Sequence, residues 1–125
     1  RFTKPISDPN LKRIINNQSI VVLQKFTRQV PIAKDLQEYA VKIVKATREN
    51  KDMVEYGASP RASIGLILAS KARALIRGRA HVSAQDIKTM ALPILRHRII
   101  LNFEAERKGM TTDDVINSLV NKVKV

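Results

Sequence analysis

Apolar positions along this chain recur mostly at three- and four-residue spacing, the separation that lines side chains along one face of an α-helix. The first such run, about residues 18–29, follows Asn16 and Asn17, either of which can cap it. It directs Ile20, Leu23 and Val30 inward and ends where Val30-Pro31 forces extended backbone. The second run, about 33–49, places Leu36, Tyr39, Ala40, Ile43 and Val44 on one face. A third begins at Ser59-Pro60, a capping residue before a proline whose fixed φ suits the first helical position, and continues to about Arg77. Its expected inner face is Ile64, Ile67, Leu68, Ala72, Leu75 and Ile76, widened by Leu66 and Ala69. Gly78 then supplies a left-handed C-terminal cap, and Arg73, Arg77 and Arg79 complement the negative end of the helix dipole. Ser83-Ala84-Gln85-Asp86 has capping-box spacing and opens a fourth helix, about 84–96. Ile87, Met90, Ala91, Ile94 and Leu95 form its apolar face, and Pro93, lacking an N–H, is expected to kink it near Thr89. Thr111 to Asp114 opens a fifth helix, about 112–122, packed through Val115, Ile116, Leu119 and Val120.

Between these runs the pattern changes. Arg98-Ile99-Ile100-Leu101-Asn102-Phe103 is short, β-branched and apolar, and predicts a strand over 98–103. A strand needs a partner, and the pattern leaves two places open, near residues 13–15 or near the C-terminus. Residues 50–59 are rich in turn formers. Residues 1–16 hold Pro5, Asp8 and Pro9 without clean periodicity, which reads as an arriving linker with an extended stretch near Ile14 and Ile15. The expected fold is therefore mainly α: a small bundle of about five helices with a short β-strand element over 17–125, preceded by a linker over 1–16.

Composition narrows the classes. A chain of 125 residues with 44% apolar and 27% charged residues makes one globular domain, with a core of Ile, Val, Leu and Ala because aromatics are only 4%. Without cysteine it can form neither disulfides nor thiolate metal sites, in keeping with a cytoplasmic location. No apolar run approaches about 20 residues, so no membrane span is expected. The chain begins at Arg1 with no signal-peptide pattern and reads as a piece of a longer protein.

The net charge of +12 is unevenly spread. Residues 57–98 carry eight Lys/Arg against one acid, Asp86, and the remainder fifteen against ten. A basic stripe attracts nucleic acid, anionic membrane or nucleotide phosphates alike, and can equally be a solvated helix face. One reading is thus a free-standing nucleic-acid-binding module docking its third or fourth helix on phosphates. Against it stand the lack of aromatic stacking platforms and of an Asn/Gln/Arg-rich face aimed at base edges, so no sequence-specific nucleic-acid partner is expected.

Catalytic patterns are missing. His81 and His97 lie sixteen residues apart with no third ligand at metal spacing, and Asp113-Asp114 sits where first-turn acids ordinarily stabilise a helix dipole. There is no G-x-x-x-x-G-K-[ST] loop, G-x-G-x-x-G turn or G-x-S-x-G elbow, so neither a catalytic residue nor a metal ligand is assigned. Gly57-Ala58-Ser59-Pro60-Arg61 is more informative. It places a cation, Arg61, in the first turn of a helix, where the dipole repels it. A phosphate at the same helix end removes the conflict, because free backbone N–H groups and a fork-shaped guanidinium attract it together; Ser59 and Pro60 shape that helix start. The competing explanation is an ion pair from Arg61 to Glu49, Asp52 or Glu55 in the preceding segment.

GASPRA over 57–62, ARALIRGRAHVSAQDI over 72–87 and LRHRIIL over 95–101 together resemble the C-terminal lid domain of MoxR-family AAA+ ATPases, in the branch that includes magnesium chelatase and MCM-type proteins. VKIVKATRE over 41–49 is similar to the helix that precedes the sensor motif, so the resemblance runs from about residue 19 to 123. It implies an AAA+ lid fold and gives Arg61 the sensor-2 role toward the γ-phosphate of ATP. It also implies ATP and Mg2+ held by an AAA+ core that this chain lacks, neighbouring ATPase subunits in a hexameric ring, and ATP hydrolysis by the full-length protein rather than by this piece alone. The expected task is chaperone-like assembly or activation of client protein complexes, with von Willebrand factor A domain proteins as companions. LRHR, with Arg96, His97 and Arg98, matches the family pattern without a derivable role.

Overall fold

Each of the five helical runs is a helix in the computed structural model, which describes residues 16–125. The elements are α1 (Asn17–Gln29), α2 (Lys34–Glu49), β1 (Val54–Tyr56), α3 (Ala62–Ile76), α4 (Ala84–Leu95), β2 (Ile100–Leu101), α5 (Phe103–Arg107) and α6 (Thr112–Lys122). The expected linker, with its extended stretch at Ile14 and Ile15, lies outside the described residues apart from Asn16. Among the described residues no helix is long and apolar enough to cross a membrane.

The punctuation residues act as their chemistry predicts. The Asn16 side chain accepts from the Ser19 N–H at 2.8 Å and starts α1. Ser83 with Asp86, and Thr111 with Asp114, form reciprocal capping boxes that open α4 and α6. Gly78, at φ +72°, closes α3 while the Arg79 N–H donates back to the Ala74 carbonyl at 2.9 Å. Pro93 lies inside α4 without ending it.

The core forms where α2, α3, α4 and α6 meet. Tyr39, Ile43 and Val44 of α2, Leu66 of α3, Ile87 and Leu95 of α4, and Val115 and Ile116 of α6 are completely buried. At about 1.5–3 kcal/mol for each large apolar side chain, this cluster carries most of the stabilisation. The Tyr39 hydroxyl donates to the Val120 carbonyl at 3.2 Å, and burial pushes its pKa above the ordinary phenol value, so it stays a neutral donor joining α2 to α6.

Three expectations are corrected. On α3 the buried stripe is Ala62, Ser63, Leu66, Ser70 and Ala74, whereas Ile64 and Ile76 are 61% and 85% exposed. This helix is apolar almost all round, so periodicity does not select a face. Side-chain size does, because small residues let neighbouring helices approach, and Ser70 satisfies its hydroxyl by donating to the Leu66 carbonyl at 2.7 Å. On α1, Ile20 and Leu23 remain largely exposed and only Val30, just past its end, is buried, because the helix packs chiefly against α3 at the edge of the bundle. The strand expected over 98–103 shortens to β2, and its partner is neither residues 13–15 nor the C-terminus but β1. The two run antiparallel, pairing Val54 with Leu101 and Tyr56 with Ile100 across an irregularity. Val54-Glu55-Tyr56 is too short to display alternation, so the turn-rich 50–59 segment concealed it.

Asn102 explains why β2 stops. Its side-chain amide donates to the Lys51 and Asp52 carbonyls at 3.1 and 2.8 Å, while its oxygen accepts from the Ala105 N–H at 2.9 Å and caps α5. That five-residue helix was not expected from periodicity, being little longer than one turn.

Candidate functional site

The loop carrying Gly57 to Arg61 is held against the C-terminal turn of α2. Thr47, fully buried, donates to the Val44 carbonyl at 2.6 Å and accepts from the Ala58 N–H at 2.9 Å. From the next residue, half-buried, the Arg48 guanidinium donates to the Ala58 carbonyl at 3.0 Å. Gly57 lies so near α2 that a Cβ there would come within 2.5 Å of the Thr47 backbone, so only glycine fits. Both polar groups of Ala58 are thus paired to α2, which fixes where the next helix starts.

That start differs in detail from the expected one. The first regular residue of α3 is Ala62, and Arg61 is its flanking residue with helical backbone, φ −62° and ψ −25°. Ser59 gives no side-chain cap; instead the Ala62, Ser63 and Ile64 N–H groups donate to the Ser59, Pro60 and Arg61 carbonyls at 2.9–3.1 Å, a tightened opening turn. Arg61 is exposed and makes no ion pair with Glu49, Asp52 or Glu55, so the local pairing that would explain its charge is not made. It lines an open groove with Ser59, Ala62, Ile64, Gly65 and Arg98, and no acidic residue lies among them. Such a donor set fits a phosphate anion; it does not fit Mg2+, a hard cation that takes oxygen ligands.

The other arginines divide by environment. Arg73 donates to the Asp86 carboxylate at 2.5 Å, and Arg79 forks onto both of its oxygens and onto the Ser83 hydroxyl. Asp86 has no exposed side-chain surface. Burial pushes its pKa upward, but hydrogen bonds from Arg79, the Ser83 backbone and Arg73 outweigh this and hold it well below the usual carboxylate range. The role expected for Arg73 and Arg79, complementing a helix dipole, is therefore secondary to this buried ionic cluster joining α3 to α4. Arg96 makes a two-pronged ion pair with Asp113 at 2.8 and 3.0 Å, tying the end of α4 to the start of α6. Of the eight cations within 57–98, three are consumed by these internal pairs, which weakens the stripe as a nucleic-acid surface. Among the described residues no group of three or more His, Asp or Glu is placed to hold a metal ion.

Sequence reasoning singled out Arg61 but missed Thr47 and Arg48, and left Arg98 within LRHR without a role. The first two are the Thr and Arg of KATRE, whose likeness to the family pattern was the available signal; the fold brings them to GASPR from ten residues away.

The AAA lid domain family profile matches residues 46–119, which spans α3, α4, α5, both strands, the end of α2 and most of α6. The chain is 33% identical to Chaperone MoxR1 of Mycobacterium tuberculosis over 94% of its length, and 34% identical to the uncharacterised protein YeaC of Bacillus subtilis over 92%. It covers 33% and 36% of those two proteins, about a third of each. A crystal structure from Cytophaga hutchinsonii, provisionally described as an ATPase, superposes on 86% of the chain with a TM-score of 0.80 and 36% identity, the match covering 35% of that protein. Family profile, sequence relatives and backbone agree: the chain belongs to the AAA lid domain family, in the form carried by MoxR-type ATPases.

Proposed function

We propose that this lid belongs to an ATP-hydrolysing ring protein and that Arg61 is its sensor-2 residue, contacting the γ-phosphate of ATP. The observation that carries this reading is an exposed guanidinium at the start of α3 without a local acidic partner, on a loop that Gly57, Thr47 and Arg48 hold against α2. A fixed loop matters because a phosphate contact gains most when its donor is already in place. ATP and Mg2+ are held mainly by the AAA+ core of the full-length protein, and this lid closes over the phosphates. The Arg61 guanidinium supplies charge-assisted hydrogen bonds to the terminal phosphate and loses that contact when the phosphate leaves.

The ring, the clients and a von Willebrand factor A domain companion extend the same proposal; the relative named a chaperone supports assembly or activation of protein complexes as the task. The test is ATP turnover by the full-length ring with Arg61 replaced by Ala. Loss of turnover with ring assembly intact supports the assignment, and turnover equal to wild type refutes it.

A further inference from the structure

Arg98 faces the groove that Arg61 faces, from a different part of the chain. It stands between the end of α4 and β2, where its N–H donates to the Leu95 carbonyl at 2.9 Å and Ile99 beside it is buried. The Arg96–Asp113 ion pair fixes the same segment to α6. Among the described residues Arg98 has no acidic partner, and the groove it shares with Arg61 contains no carboxylate. Two cations presented to one groove repel each other, and an anion between them relieves the repulsion.

Gly65 adds an independent observation. It lies within α3, where glycine is unfavourable because it leaves the backbone freer in the unfolded chain. A Cβ at this position would sit 3.5 Å from Nη1 of Arg98, so a methyl group just fits and anything longer would cover the groove floor on which the guanidinium rests. Gly65 keeps this end of α3 open on the side that Arg98 occupies.

We infer that Arg98 is a second phosphate-contacting residue, clasping with Arg61 the terminal phosphate of the same nucleotide. This rests on the sensor reading of Arg61 and adds a role for the LRHR segment: Arg96 anchors it through Asp113 and Arg98 reaches the anion. Guanidinium groups from two elements surround a phosphate more fully than one, because each fork offers paired donors to different oxygens.

The experiment uses the full-length protein with its ATP-binding core, measuring ring assembly, ATP and ADP affinity and turnover for Arg98→Ala, Arg98→Lys, Gly65→Leu and Arg61→Ala. Arg98→Ala is expected to lower turnover roughly tenfold or more and to weaken ATP binding more than ADP binding, with assembly intact. Arg98→Lys should rescue partly, since it restores charge without the fork. Gly65→Leu, which alters neither arginine, should reproduce the Arg98→Ala defect. If Arg61→Ala is defective while Arg98→Ala keeps normal turnover and ATP preference, the inference fails and the sensor reading stands. Normal behaviour in both variants overturns both. Loss of ring assembly in Arg98→Ala with an unchanged ATP-to-ADP affinity ratio would instead assign Arg98 to a protein carboxylate across an interface, which also overturns the inference.

Discussion

The Thr47 hydroxyl stands between two backbone groups, accepting from the Ala58 N–H at 2.9 Å while donating to the Val44 carbonyl at 2.6 Å. A single side chain of α2 therefore positions the loop that presents Arg61. Thr47→Val preserves shape but removes both bonds and leaves the buried Ala58 N–H without its partner. The expected cost is about 1–3 kcal/mol, read by denaturant unfolding of the domain. In the full-length protein, turnover should fall as well, although Thr47 is too deeply buried to touch a phosphate. Unchanged stability would show that the loop is held by Arg48 and the surrounding packing alone.

Gly57→Ala probes the same contact by steric means. Gly57 does not have a positive φ, so alanine meets no backbone strain, yet its Cβ would fall 2.5–2.6 Å from the Thr47 and Arg48 backbone. Backbone cannot move aside as a flexible side chain can. The loop should shift away from α2, at roughly 1–3 kcal/mol as for overpacked cores. Gly109→Ala serves as a contrast: its strain comes from a φ of +77° with nothing near the new Cβ, so stability should fall without loss of turnover.

The buried cluster at Asp86 sets an acid limit. Because the folded-state pKa is depressed below the unfolded value of about 3.9, the ionised carboxylate stabilises the fold fully above that pH. The contribution is lost as pH falls from about 4 toward the lower folded value. Asp86→Asn should cost roughly 3–5 kcal/mol near neutrality, since Arg73 and Arg79 then face a neutral amide. The substitution should also flatten the decline of stability below about pH 4. Thermal melts of wild type and variant from pH 7 down to pH 2 provide the check; parallel declines would show that other carboxylates govern acid unfolding.

The residues that made the fold legible were those with one strong local preference. Asn16, Gly78, Ser83 and Thr111 each sit at the helix boundary their chemistry favours, and Val115, Ile116, Leu119 and Val120 are buried as their spacing required. Legibility failed where local preference was silent. Apart from Lys71 and Arg73, α3 reads as apolar almost all round, so Leu66 rather than Ile64 was chosen by neighbours far away in sequence. The pairing of Val54 with Leu101 joins strands of three and two residues across forty-seven positions, a relation no local pattern encodes. The site was legible in the same partial way. Arg61 stood out because its charge opposed its helix position, whereas Thr47, Arg98 and Gly65 acquire meaning only once α2, α3 and the end of α4 are brought together.

The sharpest prediction concerns Arg61 because function and stability should separate there. The side chain is exposed and has no ion-pair partner among the described residues, so Arg61→Ala should change domain stability by less than about 0.5 kcal/mol. A charge-assisted contact to phosphate is worth about 1.5–3 kcal/mol, so turnover per assembled ring should fall roughly ten- to hundredfold. Arg61→Lys, keeping the charge but losing the fork, should recover only part. The comparison needs a cation on the same helix that does neither job. Arg73 is unsuitable, because its bond to buried Asp86 makes Arg73→Ala a stability variant whatever its effect on turnover. Arg77 is suitable, being exposed at the C-terminal end of α3 with no ion pair among the described residues, and Arg77→Ala should leave both stability and turnover nearly unchanged. Should Arg77→Ala abolish turnover while Arg61→Ala leaves it intact, the phosphate contact belongs to the opposite end of α3.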